Sequence, residues 1–331
     1  MPVITLSSGR QFESLKGESI HDAATRADIR LPFSCKTGRC STCKCKVIKG
    51  HSVPLQAEVG LTRNEQTDGW ILSCVRSADD DMVLEVDDLS NIDFPVIKTL
   101  PCKIDKLQRT APDVMQVRLR LPPAADFKFI PGQYIELIGP NGIRRSYSIA
   151  KDEINNKLLE VHIRKVEGGV MSEYLFMHAK VNDLLRLNGP LGTFILGEVV
   201  DKNLIFLATG TGIAPIIAML ESLKLCKPNQ RPRSVMLLWG GRVPADLYCD
   251  ISEIDYDFQY VPVLSRADSS WAGARGYVQR ELMAMQPDLS RSVVYACGSE
   301  AMIHSAKELL IKNGLPSNRF YSESFVCSSF K

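Results

Sequence analysis

Four cysteines, spaced Cys35-x4-Cys40-x2-Cys43 with Cys74 thirty residues further on, constrain this chain more than any other feature. The spacing is the plant-type arrangement for a 2Fe–2S cluster. Four thiolates must converge on two irons, so the backbone has to wrap tightly and aim its amides at sulfur. Gly38 supplies one position in that wrap without side-chain hindrance. Zinc also accepts four thiolates. Zinc sites usually pair two C-x2-C knuckles, and here one knuckle stands with Cys74 alone. The pattern therefore predicts a cluster held by Cys35, Cys40, Cys43 and Cys74. The extra thiol, Cys45, reads as a strand residue facing the core, although spacing alone also allows it in place of Cys43.

The chain has ten cysteines in 331 residues, and no charged stretch followed by an apolar one opens it. That combination predicts a reducing cytoplasm, with thiols used for metal or redox work rather than disulfides. At 45% hydrophobic and 24% charged, the composition excludes a disordered chain, a collagen and a small disulfide scaffold. The length suggests two or three domains. A net charge of +2 gives no reason to expect a nucleic-acid partner. Residues 204–220 carry no charge, which is the lower limit of length for a spanning helix. Gly210-Thr211-Gly212 and Pro215 lie in the middle of that stretch, so it reads as a buried strand, a turn and a new helix. No membrane span is expected.

The first 90 residues read as short strands around one helix over Ile20–Ala27, with Ser19 as its cap. Residues 91–101 contain two prolines and no clear period, and read as a linker. From 102 to 198, half-buried strands such as VMQVRLRL, QYIELI and LLEVHIRKV predict a small antiparallel barrel. From 199 to 331 the rhythm becomes strand–turn–helix, the pattern of a parallel α/β domain. Between Ile29 and Ala57 stand six basic residues and no acid. Cations there would favour the reduced, more negative cluster. They read equally as a solvated face or as a docking face for an acidic partner.

Two further segments carry chemistry. Arg145-Ser146-Tyr147-Ser148 follows a strand, so Arg145 and Tyr147 share a face. Arginine offers a fork for phosphate and tyrosine a flat face for a ring system. His162 and Arg164 end the next strand, and Gly169-Val170-Met171-Ser172 opens a helical run whose free amides suit a pyrophosphate. Gly210-Thr211-Gly212 and Pro215 join a strand to a helix, where glycines let a phosphate approach the backbone. Gly240 and Arg242, and then Cys297 and Gly298, end two more strands, at the edge where open α/β sheets bind ligands. A carboxylate so near the C-terminus as Glu323 reads, on its own, as solvated.

In this order, CKTGRCSTC with Cys74, RSYS, GGVMS, GTGIAP, WGGR, YACGS and ESF resemble the iron–sulfur flavoprotein reductases of the ferredoxin–NADP⁺ reductase fold, with the ferredoxin module at the N-terminus. PCKIDKL, PGQYIELI, RRSYSIA, YVPVLS and VYACGSEAMI resemble the CDP-6-deoxy-glucoseen reductases within that group. Reductase components of ring-hydroxylating dioxygenases and soluble monooxygenases look similar. The resemblance implies a β-grasp-like ferredoxin domain, an antiparallel flavin barrel and a parallel-sheet nucleotide domain. It implies FAD ahead of FMN, NADH ahead of NADPH, and an electron-acceptor protein, a dehydrase or an oxygenase, as partner. Arg145 and Ser172 would contact flavin phosphate, Tyr147 would lie on the isoalloxazine, and Ser148 would sit near its N5. Gly210, Thr211 and Gly212 would take nucleotide phosphates. Cys297 would sit beside the nicotinamide, with Glu323 near the hydride path and Phe325 stacking. Ser265 and Arg266 resemble the pair that receives a 2′-phosphate in NADPH-using members, while the stretch Trp271–Val278 resembles the NADH-using ones. Two departures stand out. Glu323 replaces the family's usual Asp, and Ala208-Thr209 precedes Gly210 where that subgroup favours G-G-T-G-F-A-P.

Overall fold

Alternation of buried and exposed residues builds the N-terminal sheet. Val3–Leu6 (β1) turns back into Gln11–Glu13 (β2), and Ile4 and Phe12 face the core from the two strands. Ser19 then caps Ile20–Arg26 (α1), its hydroxyl accepting from the Asp22 amide. Lys44–Lys49 (β3), Ser52–Pro54 (β4), Arg63–Thr67 (α2), Trp70–Leu72 (β5), Arg76–Ala78 (β6) and Met82–Glu85 (β7) follow. The main sheet runs β2-β1-β7-β3-β5, with β1 and β7 parallel, and β4 pairs with β6 beside it. Ile20, Ala23 and Ala24 of α1 pack on this sheet's apolar face, the β-grasp-like arrangement that the family resemblance implies. The computed structural model describes residues 1–153 and 157–325. It separates into two units, Met1–Phe94 with Gly192–Phe194, and Pro95–Leu191 with Ile195–Lys331.

The second unit contains a barrel and an open sheet. Lys98–Ala111 (β8), Val114–Arg120 (β9), Tyr134–Ile138 (β10), Arg144–Glu153 (β11), Leu158–Arg164 (β12) and Leu184–Leu191 (β13) close in the order β10-β11-β12-β9-β8-β13, every pair antiparallel. β8 begins inside the stretch that reads as linker, because Lys98–Pro101 pair with β13. Val170–Glu173 (α3) runs on into a π-helical turn, and its Met171 and the following Leu175 pack into the barrel core.

Asn203–Thr209 (β14) lies inside the open sheet, which runs β17-β16-β15-β14-β18-β19 and is parallel throughout. The remaining strands are Ser234–Gly241 (β15), Gln259–Leu264 (β16), Ala274–Arg275 (β17), Ser292–Gly298 (β18) and Phe320–Ser324 (β19). The helices are Ile213–Leu223 (α4), Val278–Ala284 (α5) and Glu300–Lys312 (α6). From β14 the chain builds outward to β17, then returns to β18 on the other side. The order therefore reverses between β14 and β18, and a crevice opens at their carboxyl ends. The uncharged stretch 204–220 is β14, its turn and α4, nine of whose eleven residues are buried. No helix among the described residues is long and apolar enough to cross a membrane.

Candidate functional site

Within the N-terminal unit the loop after Leu31 wraps as the cysteine spacing demands. Lys36, Gly38 and Ser41 take positive φ. Gly38 needs its missing side chain, since a Cβ there would lie 2.5 Å from the Ala57 carbonyl oxygen. The backbone amides turn toward sulfur. Cys35 N–H donates to Cys40 Sγ and Thr37 N–H to Cys35 Sγ, each at 3.4 Å. The Cys40 thiol and the Thr37 and Arg39 amides pull the Cys35 thiol down to about 4. Cys43 and Cys74 bring their sulfurs to 3.1 Å, so the four thiols form two pairs. Paired soft donors with amides aimed at them suit an iron–sulfur cluster. Cys45 stands apart in the core with Ile4, Leu6 and Leu84. Of the six nearby cations, Lys44 bonds Glu65 at 2.7 Å and covers Trp70, and Lys36 covers the Phe33 ring and reaches Asp22 at 3.9 Å.

In the second unit, both chemical segments open into one cavity of about 900 Å³. Arg145, Ser146, Tyr147 and Ser148 of β11 line it, with His162 and Arg164 of β12 and Gly169, Met171 and Ser172 around the start of α3. From the open sheet come Gly210 and Thr211, Gly240 and Arg242, Ser265, Gly298 and Phe325. Besides Glu323, five other candidates lie outside the lining. Val170 is exposed and Arg266 faces solvent, while Gly212, Pro215 and Cys297 are buried in the packing behind the wall. Gly212 lets α4 start against β18, because a Cβ there would fall 2.2 Å from the Cys297 carbonyl oxygen.

Glu323 is not solvated. β19 pairs in parallel with β18 and sets Glu323 opposite Cys297, where it is 3% exposed. Ser148 Oγ donates to its Oε2 at 3.2 Å. Burial, with Glu323 adding to it, pushes the Cys297 thiol well above its ordinary value and keeps it neutral. Phe325 N–H donates to the Gly298 carbonyl at 2.9 Å, which holds the chain after β19 at the crevice.

Several candidates are engaged with protein groups. Ser172 Oγ lies 2.9 Å from both the Val166 and Gly169 carbonyls and accepts from Val166 N–H at 3.1 Å, so it ties the turn that presents the α3 amides. Arg164 meets Asp113 at 3.0 Å, and Arg242 meets Asp246 at 3.0 Å. His162 sits between Glu160 and Tyr248, 3.0 Å from each. The sequence gives no signal for Asp113, Asp246 or Tyr248, since an acid or a tyrosine in a loop reads as surface. Nor does it give any signal for Gln279. This residue lines the cavity, donates from Nε2 to Ser305 Oγ, and leaves Oε1 buried with no protein hydrogen-bond partner. An orphaned acceptor in a glycine-walled crevice suits a bound nucleotide.

Residues 4–79 match the 2Fe-2S iron-sulfur cluster binding domain, 101–195 the oxidoreductase FAD-binding domain and 206–308 the oxidoreductase NAD-binding domain. The chain is 41% identical over 325 residues to the CDP-6-deoxy-L-threo-D-glycero-4-hexulose-3-dehydrase reductase of Yersinia pseudotuberculosis serotype I (strain IP32953), with 97% of each chain covered. It is 32% identical to the xylene/toluene monooxygenase electron transfer component of Pseudomonas putida, covering 96% of this chain and 91% of that one. A crystal structure of an Amycolatopsis cytochrome P450 reductase superposes with a TM-score of 0.74 at 28% identity, covering 99% of this chain and 100% of the other.

Proposed function

The chain belongs to the iron–sulfur flavoprotein reductases, electron-transfer oxidoreductases with 2Fe–2S, FAD-binding and NAD-binding domains, and from that premise we propose that it passes electrons from NADH to a CDP-6-deoxy-hexulose dehydrase. One observation carries the reading: the flavin-type segment of the barrel and the nucleotide-type segments of the open sheet line the same cavity. When bound, the flavin accepts a hydride and releases electrons singly, and the cluster carries them one at a time.

The chain's own residues bind, orient and shield. Cys35, Cys40, Cys43 and Cys74 would hold the 2Fe–2S cluster. Arg145 binds flavin phosphate, Ser172 shapes the turn whose amides do the same, and Tyr147 lies against the ring system. Gly210 and Thr211 take the nucleotide phosphates, and Gly212 keeps α4 close enough for its first amides to help. Cys297, neutral and buried, packs behind the nicotinamide, and Phe325 stacks at the mouth. Ser148 and Glu323 set the polarity where hydride passes, the Ser148 hydroxyl being held by the carboxylate. The preference for NADH is supported by Arg275, whose guanidinium is spent on the carbonyls of Ala267, Asp268 and Trp271, leaving Arg266 alone for a 2′-phosphate. The exchange takes place in the cytoplasm, and the lysines beside the cluster loop meet an acidic face on the partner.

The test is direct. Purified protein is to contain iron, labile sulfide and FAD, and its visible absorbance is to bleach on addition of NADH. Electrons should then reach a purified dehydrase at a rate that falls as salt rises. A colourless, zinc-loaded protein overturns the reading. Transfer to an oxygenase but not to a dehydrase replaces the named partner.

A further inference from the structure

Strand β12 presents two faces. Leu159, Val161 and Ile163 fill the barrel core. The alternate residues Glu160, His162 and Arg164 point outward, and there they meet the segment 242–248 that follows β15. Arg164 reaches Asp246 at 3.5 Å and Asp113, at the β8–β9 turn, at 3.0 Å. Arg242 closes the figure, meeting Asp246 at 3.0 Å and Asp113 at 3.5 Å. The result is a ring of alternating charge, two members from the barrel and two from the open sheet.

A second line runs beside the ring. Ionised Glu160 can only accept, so His162 Nε2–H donates to it at 3.0 Å, and Nδ1 lies in hydrogen-bond contact with the Tyr248 hydroxyl, also at 3.0 Å. The Tyr248 ring stands edge-on to Trp239 at 5.3 Å, and Trp239 Nε1–H donates to the Gly210 carbonyl at 3.0 Å. The ring of charges ends at the same place, since the Arg164 guanidinium lies where a Cβ on Gly210 would be, 2.6 Å from Nη1. Two independent lines thus join one flavin-barrel strand to one glycine of the nucleotide turn.

We propose that His162, Arg164, Asp246 and Tyr248 are positioning residues forming a clamp that sets the Gly210 turn against the flavin barrel, and so sets the approach of nicotinamide to flavin. His162 and Arg164 act through protein partners rather than on the cofactor. Hydride transfer is sensitive to placement, and a displacement of about 1 Å costs on the order of 10²-fold. The clamp rests on the hydride-transfer reading above.

Two variants of the holoenzyme test it. Tyr248→Phe removes one hydroxyl and keeps the ring on Trp239, and Asp246→Asn removes one charge from the ring. In single-turnover reduction by NADH, both should lower the limiting rate of flavin reduction about 10-fold or more, with apparent NADH affinity and bound flavin unchanged. Hydrogen exchange supplies a readout apart from activity. The amides of Gly210–Ile213 should exchange about 10-fold faster in both variants, and those of β9 at the wild-type rate. Unchanged limiting rates and exchange overturn the clamp, as does a rate loss matched by loss of flavin or of NADH affinity. Wild-type protein that NADH fails to reduce overturns the functional reading instead, and the exchange result then decides the clamp alone.

Discussion

Ser148 and Glu323 are 175 positions apart in sequence, yet the Ser148 hydroxyl donates to the Glu323 carboxylate at 3.2 Å in the interior. Ser148 comes from barrel strand β11 and Glu323 from the edge strand β19 of the open sheet. The carboxylate also lies beside Cys297 through the β18–β19 pairing. A neutral thiol, a hydroxyl and a carboxylate are thereby collected at the junction of the two parts of this unit.

The pair separates charge from hydrogen bonding in a simple comparison. Glu323→Gln keeps an acceptor for Ser148 and removes the charge, while Ser148→Ala keeps the charge and removes the donor. Each is expected to slow flavin reduction by NADH about 10²-fold, the usual effect of removing one preorganised polar group at a reacting centre, with bound FAD retained. Stopped-flow traces that match wild type in both variants would show the pair to be structural.

Cys45 is fully buried among aliphatic side chains, and burial pushes its thiol up to about 12. It packs with Ile4, Leu6 and Leu84 and stands outside both thiol pairs. Cys45→Ala should therefore keep two irons and two labile sulfides per chain, losing about 1 kcal/mol of stability from the vacated volume. Cys43→Ser should lose the cluster. Iron and sulfide analysis of the two proteins settles which cysteine of the pair binds metal.

His21 gives the N-terminal unit a pH dependence with a definite sign. Its ring is 3% exposed, lies 4.8 Å from the Phe33 ring, and is depressed to about 4 by burial, with Lys36 adding to the effect. The unfolded chain, with an ordinary value near 6.5, binds the proton first. Stability is therefore full above about pH 6.5, falls as pH drops toward 4, and is lower by about 2 kcal/mol at pH 5. Urea unfolding followed by cluster absorbance at pH 7.5 and pH 5 measures this, and His21→Leu should flatten the difference.

Arg275 holds its loop through three backbone carbonyls. Arg275→Gln should raise KM for NADH and NADPH by similar factors, with NADH preferred by about 10-fold or more in both proteins. If the substitution selectively damaged use of NADPH, the guanidinium would be a phosphate contact.

Much of this protein is written in local sequence. The cysteine spacing announces the cluster because four ligands to two irons tolerate few loop lengths. The barrel and the parallel sheet are legible because alternation and strand–helix rhythm repeat over many residues, as in LLEVHIRKV and SVVYACG. The glycines of Gly210-Thr211-Gly212 are legible for the same kind of reason, since close backbone approach requires that residue type. What tertiary structure alone decided is which polar groups meet. Glu323 reads as a solvated terminal acid until β19 pairs with β18 and buries it. That Arg164 meets Asp246 and His162 meets Tyr248, from a segment some eighty residues away, is likewise invisible in local sequence. A side chain's hydrogen-bond partner depends on chain crossings, not on its neighbours in sequence, and only the folded sheet order brings those crossings about.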